Sequence, residues 1–238
     1  MANIAVFSPH PDDAVLSCFF HMSKWSQNHT ITVVNIFNKT QSKFLPAYSR
    51  SVLEQLKVSS AQYQSLRNAE DLKVLKKYHF NVISLNSIDA GFRHFNDKPL
   101  YPSPNQLFSG IMHTADKLLQ IELHKKIKPL TKDFDFCISP LAIGNHVDHT
   151  LTRMVIEKYV PQNKLAYYAD VPYWHQVTQA FQSLLPFIFS GKKSFLLTTS
   201  KKKKAVACYT SQVPLLFPTG IPRLPELVVS KDRSIKLF

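Results

Sequence analysis

Glycine is scarce in this chain of 238 residues, with five in all, at positions 91, 110, 144, 191 and 220. No two lie close enough to form a dinucleotide fingerprint or a phosphate loop, both of which need clustered glycines for close backbone approach. Nicotinamide and P-loop chemistry are thereby disfavoured. Cysteine is scarcer still. Cys18, Cys137 and Cys208 are odd in number, far apart and set in apolar stretches. They supply neither a disulfide framework nor the close pairs of a cysteine zinc site, and they read as reduced core thiols. No apolar run is long enough to span a membrane. The N-terminus lacks a signal-peptide pattern, so a cytoplasmic location is expected.

Acidic residues are also few, 16 against 29 lysines and arginines, which leaves a net charge of +13. Nucleic acid, an anionic surface or an acidic substrate would each suit that balance. Yet no nucleic-acid module is recognisable, and aromatic and basic residues do not interleave as base-stacking surfaces require. A lysine-rich solvated surface without a specific nucleic-acid partner is the simpler expectation. The 45% apolar and 19% charged content is ordinary for a folded chain. With no clear linker, residues 1–238 are expected to form one domain. Pro214, Pro218, Pro222 and Pro225 mark an irregular C-terminal segment.

What the chain does have is alternation. Strand-like runs at Ile4–Ser8, Thr30–Phe37, Asn81–Leu85, Phe134–Ser139 and Leu165–Ala169 are separated by helically spaced segments at Ala14–Asn28, roughly Val52–Tyr78, Leu107–Ile127 and His149–Tyr159. Lys201 to Lys204 read as the polar start of a further helix. This order predicts an α/β fold, a mostly parallel sheet with helices on both faces.

Two clusters sit where such strands end. Ser8-Pro9-His10-Pro11-Asp12-Asp13 follows the apolar run Ile4-Ala5-Val6-Phe7, and Gly144-Asn145-His146-Val147-Asp148-His149 follows the fourth strand. His10 and Asp13, three apart across a turn into a helix, can converge on one point, and Asp12 between them must face elsewhere. A third ligand would come from the second cluster, where His146 and His149 are also three apart. A His-Asp-His set with water in the fourth position matches catalytic zinc. Asp12 would then take a proton from that water, and the remaining histidine would steady an oxyanion or protonate a leaving amine. Helix capping by Asp explains either cluster alone. Capping does not require histidine, so it explains the two together poorly.

At these residues the chain resembles the LmbE-like, or PIG-L, N-deacetylase family. Pro9-His10-Pro11-Asp12-Asp13 with Ala14-Val15-Leu16-Ser17-Cys18 carries the first motif, and Gly144 to His149 the second. Arg67-Asn68-Ala69-Glu70, Asp89-Ala90-Gly91-Phe92-Arg93, Tyr168-Ala169-Asp170-Val171-Pro172-Tyr173 and Ala205 through Gln212 are softer agreements. The resemblance implies a Rossmann-like fold and zinc-dependent removal of an N-acetyl or other N-acyl group from an amino sugar or amino-sugar-containing metabolite. The alternative is a non-sugar, thiol-conjugate or secondary-metabolite amide. It places the metal ligands on His10, Asp13 and His149, the general base on Asp12, and the oxyanion or acid histidine on His146. Asp148 would then orient His146. Some sugar-deacetylating relatives carry Tyr where this chain has Gly144, so that role passes to no residue here. Histidine and carboxylate ligands also accept other divalent transition metals.

Three further residues are candidates for touching a small N-acylated substrate. Arg93 follows a strand-end turn and suits a hydroxyl or an anion, while Tyr168 and Asp170, with Tyr173, cluster after the fifth strand. Arg67 and Glu70, three apart on a helix, are expected to pair with each other. His21, His29, His79, His94, His113, His124 and His175 lack partners at ligand spacing.

Overall fold

In β1 (Asn3–Ser8) alternate side chains leave on opposite faces, Ile4 and Val6 into one apolar core and Ala5 and Phe7 into another. The same alternation divides Cys137 from Ile138 in β6 (Phe136–Pro140) and Tyr167 from Tyr168 in β7 (Leu165–Tyr168). A sheet with both faces apolar must be covered on both. One face is covered by α1 (Asp13–Trp25) and α3 (Ser60–Lys77), the other by α5 (Lys117–Leu130) and α6 (Val147–Tyr159). The result is the three-layer α/β arrangement that the sequence predicts.

The computed structural model describes residues 1–40, 42–173, 191–197 and 199–237. His175 lies outside them. With β2 (Thr30–Asn35), β3 (Asn81–Ser84), β8 (Lys192–Leu196) and β9 (Glu226–Ser230), the sheet runs β3-β2-β1-β6-β7-β9-β8. The first five strands are parallel, while β9 runs antiparallel to β7 and β8 antiparallel to β9. A two-stranded hairpin, β4 (His94–Phe95) with β5 (Lys98–Pro99), stands apart. The strand order reverses between β1 and β6, and ligands of such sheets bind at the carboxyl ends of the strands beside that reversal. Among the described residues, no helix is long and apolar enough to cross a membrane.

Several expected bounds shift for local reasons. The helical run Val52–Tyr78 is two helices, α2 (Ala47–Leu56) and α3. Lys57 takes a left-handed conformation with φ 55°, and Ser59 with Gln62 then forms a capping box that starts α3. The run Leu107–Ile127 likewise divides into α4 (Pro104–Leu107) and α5. α7 (Ser200–Val206) begins at the lysine cluster and is capped by Thr199. After α8 (Val213–Leu216), prolines withhold backbone donors as far as Pro225, and the proline-free Glu226–Ser230 then pairs as β9. That strand was not anticipated within the C-terminal segment.

β9 is pinned from below by charge. Glu226 accepts from the backbone N–H groups of Phe20 and His21 in α1 at 2.8 and 3.0 Å, and its other partners are His21 Nδ1 at 2.9 Å and Lys202 Nζ at 2.9 Å. Lys202 also donates to the Leu224 carbonyl at 2.8 Å. Both charged residues are buried.

Candidate active site

The two clusters hang from β1 and β6, adjacent parallel strands on either side of the strand-order reversal. His10 leaves β1 through Pro9, and its backbone N–H donates to Asp13 Oδ2 at 2.8 Å. Ser8 closes the turn, donating to the His10 carbonyl and accepting from the Ala14 N–H. Asp12 precedes α1 but its carboxylate makes no capping bond. Its φ is 134°, a region that only glycine enters freely. Such strain persists where the surroundings over-determine the residue.

Asp13 Oδ2 stands 3.1 Å from His10 Nδ1 and 3.2 Å from His149 Nε2. One ligand atom from each of these three residues lies within 4.8 Å of the other two. The far nitrogen of each ring is held by another carboxylate, His10 Nε2 by Asp148 at 3.1 Å and His149 Nδ1 by Asp170 at 2.6 Å. Carboxylate support behind each histidine is the usual arrangement around a metal. The buried carboxylates Asp12, Asp13, Asp89, Asp148 and Asp170 outnumber the buried guanidiniums of Arg67 and Arg93. A cation among them is therefore electrostatically favoured, and the nitrogen and oxygen donors suit zinc and its neighbours. A second group, His10, His146 and Asp148, also brings ligand atoms within 4.8 Å. There, however, Asp148 is committed to Arg93 at 2.6 Å and to the Ala90 N–H at 2.8 Å.

Asp12 stands outside the three-donor group but lines the same cavity. Arg67 Nη2 reaches its Oδ2 at 3.3 Å, and Arg67 Nη1 reaches Asp89 Oδ2 at 3.4 Å. Burial raises the Asp12 pKa to about 7, with neighbouring Asp13 adding to the rise and Arg67 opposing it. His149 goes up to about 9, because Asp13 and Asp170 more than offset the opposing effect of burial. His146 shifts down instead, through burial and the nearby His10. It caps α6 by accepting the Asp148 N–H on Nδ1 at 3.2 Å, which assigns its proton to Nε2.

Asp12, Asp13, His10, His146 and His149 line one cavity of about 350 Å³ with Arg67, Asp89, Phe108 and Tyr173. The Asp148 carboxylate, expected behind His146, instead supports His10. Arg93 does not reach this cavity. It is buried between the Phe37 and Tyr101 rings and pairs with Asp148 and Asp116. Tyr168 is wholly buried, its hydroxyl donating to the Phe7 carbonyl. Asp170 sits behind His149 and accepts the Ile143 N–H at 3.0 Å. All three were anticipated as substrate contacts, and the structure gives each an internal partner instead. Arg67 and Glu70 do not pair. Glu70 accepts from Thr210 and Ser211 while Arg67 turns to Asp12 and Asp89. Arg67 and Asp89 thus line the cavity although neither stands among the site candidates of the sequence; the one available signal is that Asp89 follows a strand end.

Gly144 has φ +88°, and a Cβ there would fall 2.5 Å from Tyr173 Cγ. Gly144→Ala is expected to cost about 1–2 kcal/mol for the left-handed backbone, with a further cost for displacing Tyr173. Urea unfolding measures the loss, and a variant as stable as the parent would show that Tyr173 does not occupy this place.

Comparison with known proteins adds three likenesses. Over 172 residues the chain is 24% identical to 2'-N-acetylparomamine deacetylase of Streptomyces fradiae, covering 70% of this chain and 56% of that protein. The chain thus spans little more than half the length of this curated relative. Its fold matches the zinc-inhibited form of teicoplanin deacetylase Orf2 with a TM-score of 0.71 at 20% identity, covering 97% of this chain and 99% of that one. It also matches N,N'-diacetylchitobiose deacetylase from Pyrococcus horikoshii, with a TM-score of 0.51 at 14% identity, over 89% and 70% of the two chains. The family model for PIG-L, described as GlcNAc-PI de-N-acetylase, matches residues 5–160. That stretch runs from β1 through α6 and contains all three donors with Asp12 and His146; the chain belongs to the PIG-L family.

Proposed function

We propose that this chain is a metal-dependent hydrolase that removes an acetyl or other acyl group from the nitrogen of an amino sugar or an amino-sugar-containing metabolite. The observation that carries this reading is the separation of Asp12 from the donor set beside it. His10 Nδ1, Asp13 Oδ2 and His149 Nε2 would hold a divalent ion, zinc being the best fit to these donors. Bound there, the ion supplies Lewis acidity toward an amide carbonyl and toward water.

The chain's own groups account for the proton movements. The Asp12 carboxylate accepts the proton of the attacking water and returns it to the departing amine. Burial eases protonation of this carboxyl, which suits it to return the proton as well as to accept it. Arg67 holds that carboxylate in place. The neutral His146 ring offers its Nε2–H to the oxyanion that develops on the former carbonyl oxygen. Asp148 and Asp170 fix the His10 and His149 rings. Arg67 and Asp89, a donor and an acceptor on the cavity wall, are placed for sugar hydroxyls. The deacetylase names of the relatives support this reading, and the shared family supports the reaction type.

The test combines metal content with acetate release. The whole chain, stripped by a chelator and reloaded with zinc, is expected to bind one ion and to hydrolyse N-acetylglucosamine or a related N-acetylated amino sugar only when loaded. Zinc at a hundred times its dissociation constant is expected to raise unfolding free energy by about 2.7 kcal/mol. Hydrolysis that persists undiminished after complete metal removal would refute the metal-dependent reading.

A further inference from the structure

The cavity joins a charged pair to a group of open rings. Beside Asp12 stand Arg67 and Asp89, joined at 3.4 Å, with the Arg67 guanidinium 5.6 Å over the Tyr63 ring. Beside His146 and His149 the lining is aromatic. Phe108 stands edge-on to His146 with ring centroids 5.1 Å apart, and Tyr173 stands edge-on to His149 at 6.1 Å. Phe108 and Tyr173 are 5.6 Å from each other, and Pro104, Leu107 and Pro172 line the same cavity. Phe108 is 36% exposed. A large aromatic ring beside a catalytic histidine, left open to a cavity, is apolar surface in want of an occupant.

The two halves of an amide diverge from its carbonyl carbon. In the reading above the amine half leaves with a proton from Asp12, which directs it toward the Arg67–Asp89 side. The acyl half is then directed toward Phe108 and Tyr173. An acetyl methyl group would cover little of that surface. We propose that the preferred substrate carries an alkyl or aryl acyl group longer than acetyl, lying along Phe108 and Tyr173 while the sugar faces Arg67 and Asp89. This inference rests on the N-deacylase reading and adds the class of acyl group.

The experiment uses the zinc-loaded whole chain and glucosamine carrying acetyl, butanoyl, hexanoyl or octanoyl on nitrogen. Octyl 2-acetamido-2-deoxyglucoside, with its chain on the sugar side, is the control. A fully buried methylene contributes about fourfold in binding. With partial burial of the chain, kcat/KM is expected to rise at least about tenfold from acetyl to hexanoyl. Phe108→Ser, at an exposed position, is expected to abolish the hexanoyl-to-acetyl ratio, and Phe108→Leu to keep most of it. A flat series with N-acetylglucosamine still hydrolysed overturns the acyl site and leaves the deacylase reading intact. A gain confined to the octyl glycoside moves the apolar contact to the sugar side and also overturns it. Failure to hydrolyse any of these amides overturns both.

Discussion

Asp12→Asn is expected to lower kcat by about 10²–10⁴-fold while the bound metal stays at the level of the parent. The amide keeps the shape of the carboxylate but cannot take a proton from water. Asp12 makes no contact with His10 Nδ1 or His149 Nε2, so the donor set should be undisturbed. Asp12→Gly separates chemistry from folding. Its backbone has φ 134°, which glycine adopts without strain, and relief of such strain is worth about 1–3 kcal/mol. The glycine variant is therefore expected to be as inactive as Asp12→Asn, with the strain relief offsetting the lost contact to Arg67, which keeps Asp89 as its partner. Metal analysis, acetate release and thermal unfolding together decide the matter. A variant retaining a tenth of the activity would remove Asp12 from its role, and one that lost metal would return it to the ligand set.

The largest stability effect is expected far from the cavity. Glu226→Gln leaves the Lys202 ammonium buried against a neutral amide and weakens the acceptance of two α1 backbone N–H groups. Breaking a buried pair on one side costs about 3–5 kcal/mol. Replacing both members by apolar residues, Glu226→Leu with Lys202→Met, is expected to cost less than the single change. The pair also sets a pH dependence. Burial works against the charged Glu226, but Lys202 and His21 more than offset it, so its pKa lies below the ordinary glutamate value. An acid with a depressed folded pKa stabilises the fold above its unfolded pKa, about 4.3, and loses that contribution as pH falls below it. Urea unfolding from pH 7 down to pH 3 reads the effect. If Glu226→Gln unfolds within 1 kcal/mol of the parent, the pair is not the pin described here.

The legible parts of this molecule are the local ones. His10 and Asp13 are three apart across one turn, and that short spacing brings them together; His146 and His149 are also three apart, but His149 joins the donors while His146 caps α6. The strand-helix alternation was legible for the same reason, since each unit is stamped by its own periodicity. Arg67 shows the limit. Its nearest opposite charge in sequence is Glu70, three residues on, while its partners in space are 55 and 22 residues away. Asp170 was visible as a polar residue after a strand, but its placement behind His149 depends on a turn from a different strand. The division of Val52–Tyr78 into α2 and α3 turns on a left-handed Lys57, a residue type with no preference for that conformation. β8 carries two lysines in five residues and buries neither face fully, so it has no apolar run to mark it, and β9 is screened by the prolines that precede it.

That edge has a consequence for the order of assembly. β9 lies between β7 and β8, although it follows both in sequence. When the chain emerges from its N-terminus, β1, β2, β3, β6 and β7 can pair as they are made, and with them His10, Asp12, Asp13, His146 and His149 come together. β8 cannot. Among the described residues its one sheet neighbour is β9, so it pairs only when residues 226–230 arrive and slide in between. The histidine and aspartate cluster can gather before residue 212 is made, whereas Gln212, Leu215 and Leu216 complete the cavity wall and β9 closes the sheet afterwards.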